Sequence, residues 1–263
     1  MEPLFSAAGR RRLDEIVRPG LLCAFDFDGT LAPIVMHPDD VRLPPTVLQR
    51  LVTLSGHARI AILTGRAVAD IAPRLGFEAD YLVGNHGLEG VPGWQARSDA
   101  TAALCRDWKK SLTMALRDPQ YDPGIMLEDK HYSLSVHYRL ARDQAEAEQR
   151  LKELLAGLQP PPRIVAGKCV FSVMPQGGGD KGGALEELMR LSGAAGAIYV
   201  GDDVTDEDVF RLKRADLLSV RVEYAPDSNA QFFVHGYQEI EQLLDELIER
   251  LSKHDESEPS RSN

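Results

Sequence analysis

Short, almost unbroken apolar runs recur along this chain at Leu21–Phe27, Arg59–Leu63, Tyr81–Val83, Ala197–Val200 and Leu217–Val222. Runs of that length without polar alternation predict strands buried on both faces of a parallel sheet. Between them lie segments with helical spacing. Thr46–Leu54 carries Leu48, Leu51 and Val52, a second segment covers Val68–Leu75, and Tyr237–Leu251 sets Ile240, Leu243, Leu244, Leu247 and Leu251 on one face. Strands alternating with helices predict an α/β sheet with right-handed crossovers. Ligands of such sheets gather outside the carboxyl ends of the strands, where this sequence puts acids after Phe25 and Val200 and a threonine after Leu63.

The middle of the chain follows another rhythm. Tyr132–Tyr138 alternates apolar and polar residues like a half-exposed antiparallel strand, with Ile125–Glu128 before it and a charged helix, Arg142–Leu158, after it. Arg163–Val165 and Cys169–Met174 complete a unit of strand, strand, helix, strand, strand. It reads as an insertion, residues 98–177, bounded by the Pro/Gly-rich VPGWQ and PQGGG segments as hinges. The core is then residues 1–97 and 178–251, and the polar tail 252–263 is expected to be disordered.

Composition narrows the function. Thirty Lys and Arg against forty Asp and Glu leave a net charge of −10, which argues against nucleic acid and anionic membranes as partners. No uncharged run approaches the ~20 residues of a membrane helix, and the arginines near the N-terminus follow its short apolar stretch, unlike a signal peptide. Cys23, Cys105 and Cys169 form neither a CxxC site nor an even disulfide set. The expectation is a cytoplasmic protein.

Four strings carry the candidate chemistry. Asp26-Phe-Asp28-Gly29-Thr30-Leu31 sets two carboxylates at the end of a buried strand, with a glycine to turn the chain. Ile62-Leu63-Thr64-Gly65-Arg66 ends another strand in a hydroxyl and a glycine able to bring an N–H to a phosphoryl oxygen, although Thr64 could equally cap the next helix. Lys181 in Asp180-Lys-Gly-Gly183 can meet an anion with its charge and a helix N-terminus, although QGGGDKGG taken alone reads more readily as a flexible linker with an N-cap Asp. Asp202 to Asp208 hold five acids in seven residues after a strand, a cluster that repels itself unless a cation sits among it, and hard oxygen donors favour Mg²⁺.

These strings, in this order, resemble the haloacid-dehalogenase-like (HAD) phosphohydrolases. The resemblance implies an α/β fold with a HAD-like Rossmannoid parallel-sheet core and a smaller inserted α+β cap domain. It also implies Asp26 as the nucleophile that forms an aspartyl-phosphate and Asp28 as acid/base, its proton held by neighbouring carboxylates. Thr64 and Lys181 complete the implied catalytic set. Asp26, the Asp28 carbonyl and Asp202 are the implied metal ligands, with Asp203 and Asp206 behind them.

Longer strings are similar to trehalose-6-phosphate phosphatases: Asp26–Pro33, Gly201–Asp208, Asn85-His-Gly-Leu-Glu89, and Glu128-Asp-Lys130 followed by His137-Tyr-Arg139. That resemblance implies trehalose 6-phosphate as substrate, with Glu128, Lys130 and Arg139 holding it and Lys168 matching, and functional coupling to a trehalose-6-phosphate synthase. Arg66 and His86 are further substrate-binding candidates, although His86 reads almost as well as a structural histidine. Ser172 and Met174 depart from the family pattern, where many members carry a glutamate and a basic residue. Another sugar or glycoside phosphate is therefore the alternative substrate, and a non-catalytic sugar-phosphate-binding regulatory domain of a synthase is the alternative of another class. Trp94 and Trp108 are read as cap packing.

Overall fold

The computed structural model describes residues 1–35, 40–177 and 179–257. It divides into two compact units, Met1–Val91 with Asp180–Asn263, and Pro92–Gly179. Ser98, the first residue of the insertion as read from the sequence, lies inside a helix of the second unit.

The first unit is built on a seven-stranded sheet with every neighbouring pair parallel. Its strands are β1 (Glu2–Pro3), β2 (Leu21–Phe25), β3 (Arg59–Leu63), β4 (Tyr81–Val83), β9 (Gly196–Gly201), β10 (Leu217–Val222) and β11 (Phe232–Val234), in the order β1-β11-β10-β9-β2-β3-β4. Residues pointing one way, including Cys23, Phe25, Ile60, Ile62, Ile198 and Val200, join the apolar faces of α1 (Ala7–Ile16), α2 (Pro45–Ser55) and α7 (Glu239–Ser257) in one core. Their alternates, Leu22, Ala24, Ala61, Leu63, Ala197 and Tyr199, are equally buried. Burial on both faces is why these strands read as continuous apolar runs.

The apolar stripe of α7 is wholly buried and packs beside α2, where Arg50 pairs with Asp245. The helix runs on to Ser257, beyond the Leu251 end expected from the stripe, and the rest of the expected disordered tail lies outside the described residues. Two further helices matter for the site. α3 (Val68–Leu75) follows β3, and α6 (Lys181–Ser192) begins at Asp180, whose side chain accepts from Gly183 N at 2.8 Å, and stops at the left-handed Gly193.

The second unit carries a four-stranded antiparallel sheet, β5-β6-β8-β7, of β5 (Met126–Asp129), β6 (Leu134–His137), β7 (Pro162–Gly167) and β8 (Val170–Pro175). Leu134, Val136, Phe171 and Val173 turn one face onto α4 (Gln95–Ala115) and α5 (Gln144–Ala156), around the buried Trp108. The long helix α4 had no counterpart in the strand and helix pattern read from the sequence. Its buried face is mostly small or polar, Ser98, Thr101, Ala102 and Cys105 before Trp108 and Leu112, so it makes a weak apolar stripe. Trp108 donates Nε1 to the Gln159 carbonyl at 3.3 Å, and Arg97 stacks on the Trp94 ring at 4.4 Å, so both tryptophans are engaged within this unit.

Candidate active site

Strands β9, β2 and β3 are neighbours, and the loops at their carboxyl ends bring the first candidates together. Asp26 continues the ladder past β2 by donating its N–H to the Val200 carbonyl at 2.8 Å. After Asp28 the chain turns at Gly29 with φ +85°, where any Cβ would collide with the Asp202 carboxylate. That glycine lets the loops after β2 and β9 touch. The turn then places Thr30 Oγ1 against Asp202 Oδ1 at 3.1 Å.

Lys181 enters from the first residue of α6 and is essentially excluded from water. Its Nζ donates to Asp26 Oδ1 at 2.8 Å and to Asp206 Oδ1 at 2.6 Å. Asp206 also accepts from the Tyr199 hydroxyl at 2.6 Å on the same oxygen and from Asp203 N at 2.8 Å on the other. Burial by itself would depress the Lys181 ammonium, but Asp206 and Asp26 outweigh it and hold it above its ordinary value. Burial raises the Asp26 carboxyl well above the usual carboxylate range, opposed by Lys181 and reinforced by Asp206 and Asp202. Asp202 is pushed up to about 6, first by burial and then by Asp206 and Asp203.

One cation thus faces more buried negative charge than it neutralises. Asp26, Asp202 and Asp206 each bring an oxygen within 4.8 Å of the others, an all-oxygen donor set that fits a hard divalent cation. Asp206 already uses both oxygens on Lys181, Tyr199 and the loop backbone, which leaves Asp26 and Asp202 as the donors with freer lone pairs.

The acidic surroundings expected for Asp28 are replaced by a guanidinium. Arg66 forks over it, Nε to Oδ2 at 2.6 Å and Nη2 to Oδ1 at 2.7 Å, while Nη1 reaches Asp70 at 2.8 Å. Asp70 is held in turn by Arg74. Thr64 is buried at the end of β3, with its hydroxyl accepting from Arg66 N at 3.2 Å. His86 sits in the left-handed region at φ 58° and lies against Gly65, where a Cβ would strike the imidazole. Asn85 and Glu89 have a structural role, since Glu89 Oε2 takes Asn85 Nδ2 at 2.7 Å and Val68 N at 2.9 Å, fastening the loop to the start of α3.

The remaining candidates belong to the second unit. Glu128, Ser135 and Ser172 stand opposite one another across β5, β6 and β8, so they share the sheet face turned away from Trp108. Glu128 Oε2 meets His137 Nε2 at 2.9 Å and Lys130 Nζ at 4.0 Å. Arg139 Nη2 reaches the Lys168 carbonyl at 3.4 Å, and the Lys168 side chain stands on the exposed β7–β8 turn. Arg163 on β7 is in register with Met174, so the face keeps a cation one strand away from that position. Sequence reasoning missed Thr30, Tyr199 and Asp70; their partners lie on other loops or, for Asp70, one helical turn back, and only the Thr after the acids left a trace.

The parallel sheet and the acid-lysine cluster at its carboxyl edge define a HAD-like α/β core. Solved structures share the fold: a trehalose-6-phosphate phosphatase related protein superposes with TM-score 0.69 at 22% identity, covering 88% of this chain and 99% of that one. The C-terminal domain of the Candida albicans trehalose-6-phosphate phosphatase gives 0.68 at 22% identity, covering 94% and 98%. The family model described as Trehalose-phosphatase matches residues 24–235, and the chain belongs to that family. The trehalose-phosphate phosphatase of Mycobacterium leprae is 32% identical over 248 residues, 87% of this chain and 57% of the relative. That of Mycobacterium tuberculosis is 31% identical over 243 residues, 86% and 61%. The chain therefore spans little more than half the length of the curated relatives it matches.

Proposed function

We propose that this chain hydrolyses trehalose 6-phosphate to trehalose and phosphate, with Mg²⁺ as its cofactor. The observation that carries the reading is the water-excluded Lys181 joined to Asp26 beside Asp202, in a chain of the trehalose-phosphatase family. Mg²⁺ held by Asp26, Asp202 and the Asp28 carbonyl would neutralise the phosphoryl oxygens as charge redistributes.

The residues then divide the work. An Asp26 carboxylate oxygen attacks phosphorus, forming an aspartyl-phosphate as the bond from phosphorus to the sugar oxygen breaks. Asp28 serves as the acid/base: it gives a proton to that leaving oxygen once the Arg66 fork opens to let it be protonated, and afterwards removes one from the water that attacks the aspartyl-phosphate and releases phosphate. Lys181 fixes Asp26 and adds positive charge where the transition state spreads its negative charge. Arg66 orients Asp28, and Thr64 and His86 complete the phosphate loop. Asp203 and Asp206 support the ligand loop. Glu128, Lys130, Arg139 and Lys168 recognise the disaccharide, whose many hydroxyls require charged hydrogen-bond partners.

Ser172 and Met174 support a second reading, in which the same chemistry serves another sugar or glycoside phosphate. The experiment is phosphate release over a panel of sugar phosphates, with a preference of at least about tenfold for trehalose 6-phosphate expected. A flatter profile overturns the specific substrate. Activity lost in Asp26→Asn separates the enzyme from a silent regulatory domain. Functional coupling to a synthase belongs to the same proposal, because the substrate must be made by such an enzyme. Cytoplasmic residence does too, supported by three free cysteines. No helix among the described residues is long and apolar enough to cross a membrane.

A further inference from the structure

Strand β10 reads Leu217-Leu-Ser-Val-Arg-Val222, and Arg221 is the one charged side chain in it, with 15% of that side chain exposed. Its register partner is Gly201, the last residue of β9 before the acidic loop. The guanidinium turns into that loop. Nη2 donates to the main-chain carbonyl of Asp202, and Nη1 donates to that of Asp203 at 3.2 Å. Nη1 also lies 3.5 Å from Glu207 Oε1, and Glu207 is buried, its other oxygen taking Asn229 N and Nδ2, each at 3.0 Å. A guanidinium this far inside a sheet is costly unless its hydrogen bonds return the desolvation energy, and these are charge-assisted.

We infer that Arg221 is a positioning residue for metal binding: it clamps two successive carbonyls of the loop and so fixes the direction in which Asp202 presents its carboxylate. Thr30 holds that carboxylate directly, its Oγ1 donating to Oδ1 at 3.1 Å. With the backbone tied by β10 and the side chain tied by the loop after β2, Asp202 has little freedom left, and a donor already oriented loses less entropy when it takes up a cation. Glu207 and Asn229 keep the guanidinium aimed at the loop. The inference rests on the reading of Asp26 and Asp202 as Mg²⁺ donors.

The test is calorimetric titration of Mg²⁺ into the full chain, without substrate, for wild type, Arg221→Met and Arg221→Lys. Arg221→Met is expected to weaken Mg²⁺ binding about 10–100-fold, the range found when groups behind metal ligands are removed, and Arg221→Lys to fall between, since one ammonium replaces a two-pronged fork. Thermal unfolding in EDTA establishes that each variant folds. A folded Arg221→Met that binds Mg²⁺ within about twofold of wild type overturns the inference while leaving the metal site standing. If the methionine variant does not fold, Arg221→Lys decides: unchanged affinity overturns the inference and weakened affinity supports it. A wild type that binds no Mg²⁺ overturns the metal reading, and this inference with it.

Discussion

Without the proposed cation, Asp202 should leave a pH signature of its own. In the folded chain its carboxyl is pushed from an ordinary 3.8 up to about 6, by burial and by Asp206 and Asp203. The folded state then holds this proton more tightly than the unfolded state does, so the stabilisation is complete below about pH 3.8 and is lost as pH rises through about 6. A displacement of that size corresponds to ~3 kcal/mol, of which about 2 kcal/mol falls between about pH 4.5 and about pH 7.5. Other carboxylates, such as Asp70 and Glu207, are held low and tilt the total the other way. The useful quantity is therefore the difference between wild type and Asp202→Asn, measured by urea unfolding in EDTA at both ends of the window. Relative to the asparagine variant, wild type should lose about 2 kcal/mol on going to the higher pH, and saturating Mg²⁺ should suppress that loss by taking the proton's place. A difference constant to within about 0.5 kcal/mol would refute the reasoning, because Asp202 would then not be electrostatically crowded.

Three further outcomes are expected. Asp26→Asn should lower kcat by at least about 10³-fold while calorimetry still detects substrate binding, because the nucleophile is lost and the binding surface is not. Arg66→Gln should cut kcat about 10²-fold with a smaller change in KM, since the fork that orients Asp28 is removed; steady-state phosphate release reports the split. Trp108→Ala, at the centre of the 92–179 unit, should cost about 3–5 kcal/mol in the urea unfolding of that unit, followed by tryptophan-independent circular dichroism.

What could be read from the sequence follows from how each part is buried. Strands β3 and β10 were legible because a parallel sheet covered on both faces favours mostly apolar runs, and the half-buried edge strand β4 because all three of its residues are apolar. β1, at two residues, is too short to leave a pattern, β11 went unread although it is as long and as apolar as β4, and α4 hides because its packing face is built from serine, threonine, alanine and cysteine. Within the site, Asp26, Lys181 and Asp202 stood out because each follows a strand or opens a helix. The string from Asp202 to Asp208 does not say which acid turns inward. The structure buries Asp206 completely under Lys181 and Tyr199 while Asp203, three residues earlier, stays exposed. Arg66 on Asp28 and Arg221 on the acidic loop were illegible because both pairings join residues on different strands and loops, which no local spacing encodes.

The pairing of β2 with β9 has a consequence for how the protein is made. Asp26 and Asp202 become neighbours only when those two strands join, and the whole 92–179 unit is synthesised between them. A nascent chain that has emerged only as far as β8 can pair β2 with β3 and β3 with β4, but the other edge of β2 stays open, a row of unpaired backbone groups on an apolar strand. Loop-closure entropy across so long a span makes this a slow step, and it exposes the half-built sheet to aggregation while translation continues. The proposed cation could not rescue that intermediate, because Asp202, one of its proposed ligands, has not yet been synthesised. Metal binding would therefore register completed assembly of the sheet rather than promote it, and translation stalled within the inserted unit should yield insoluble chain whatever the Mg²⁺ concentration.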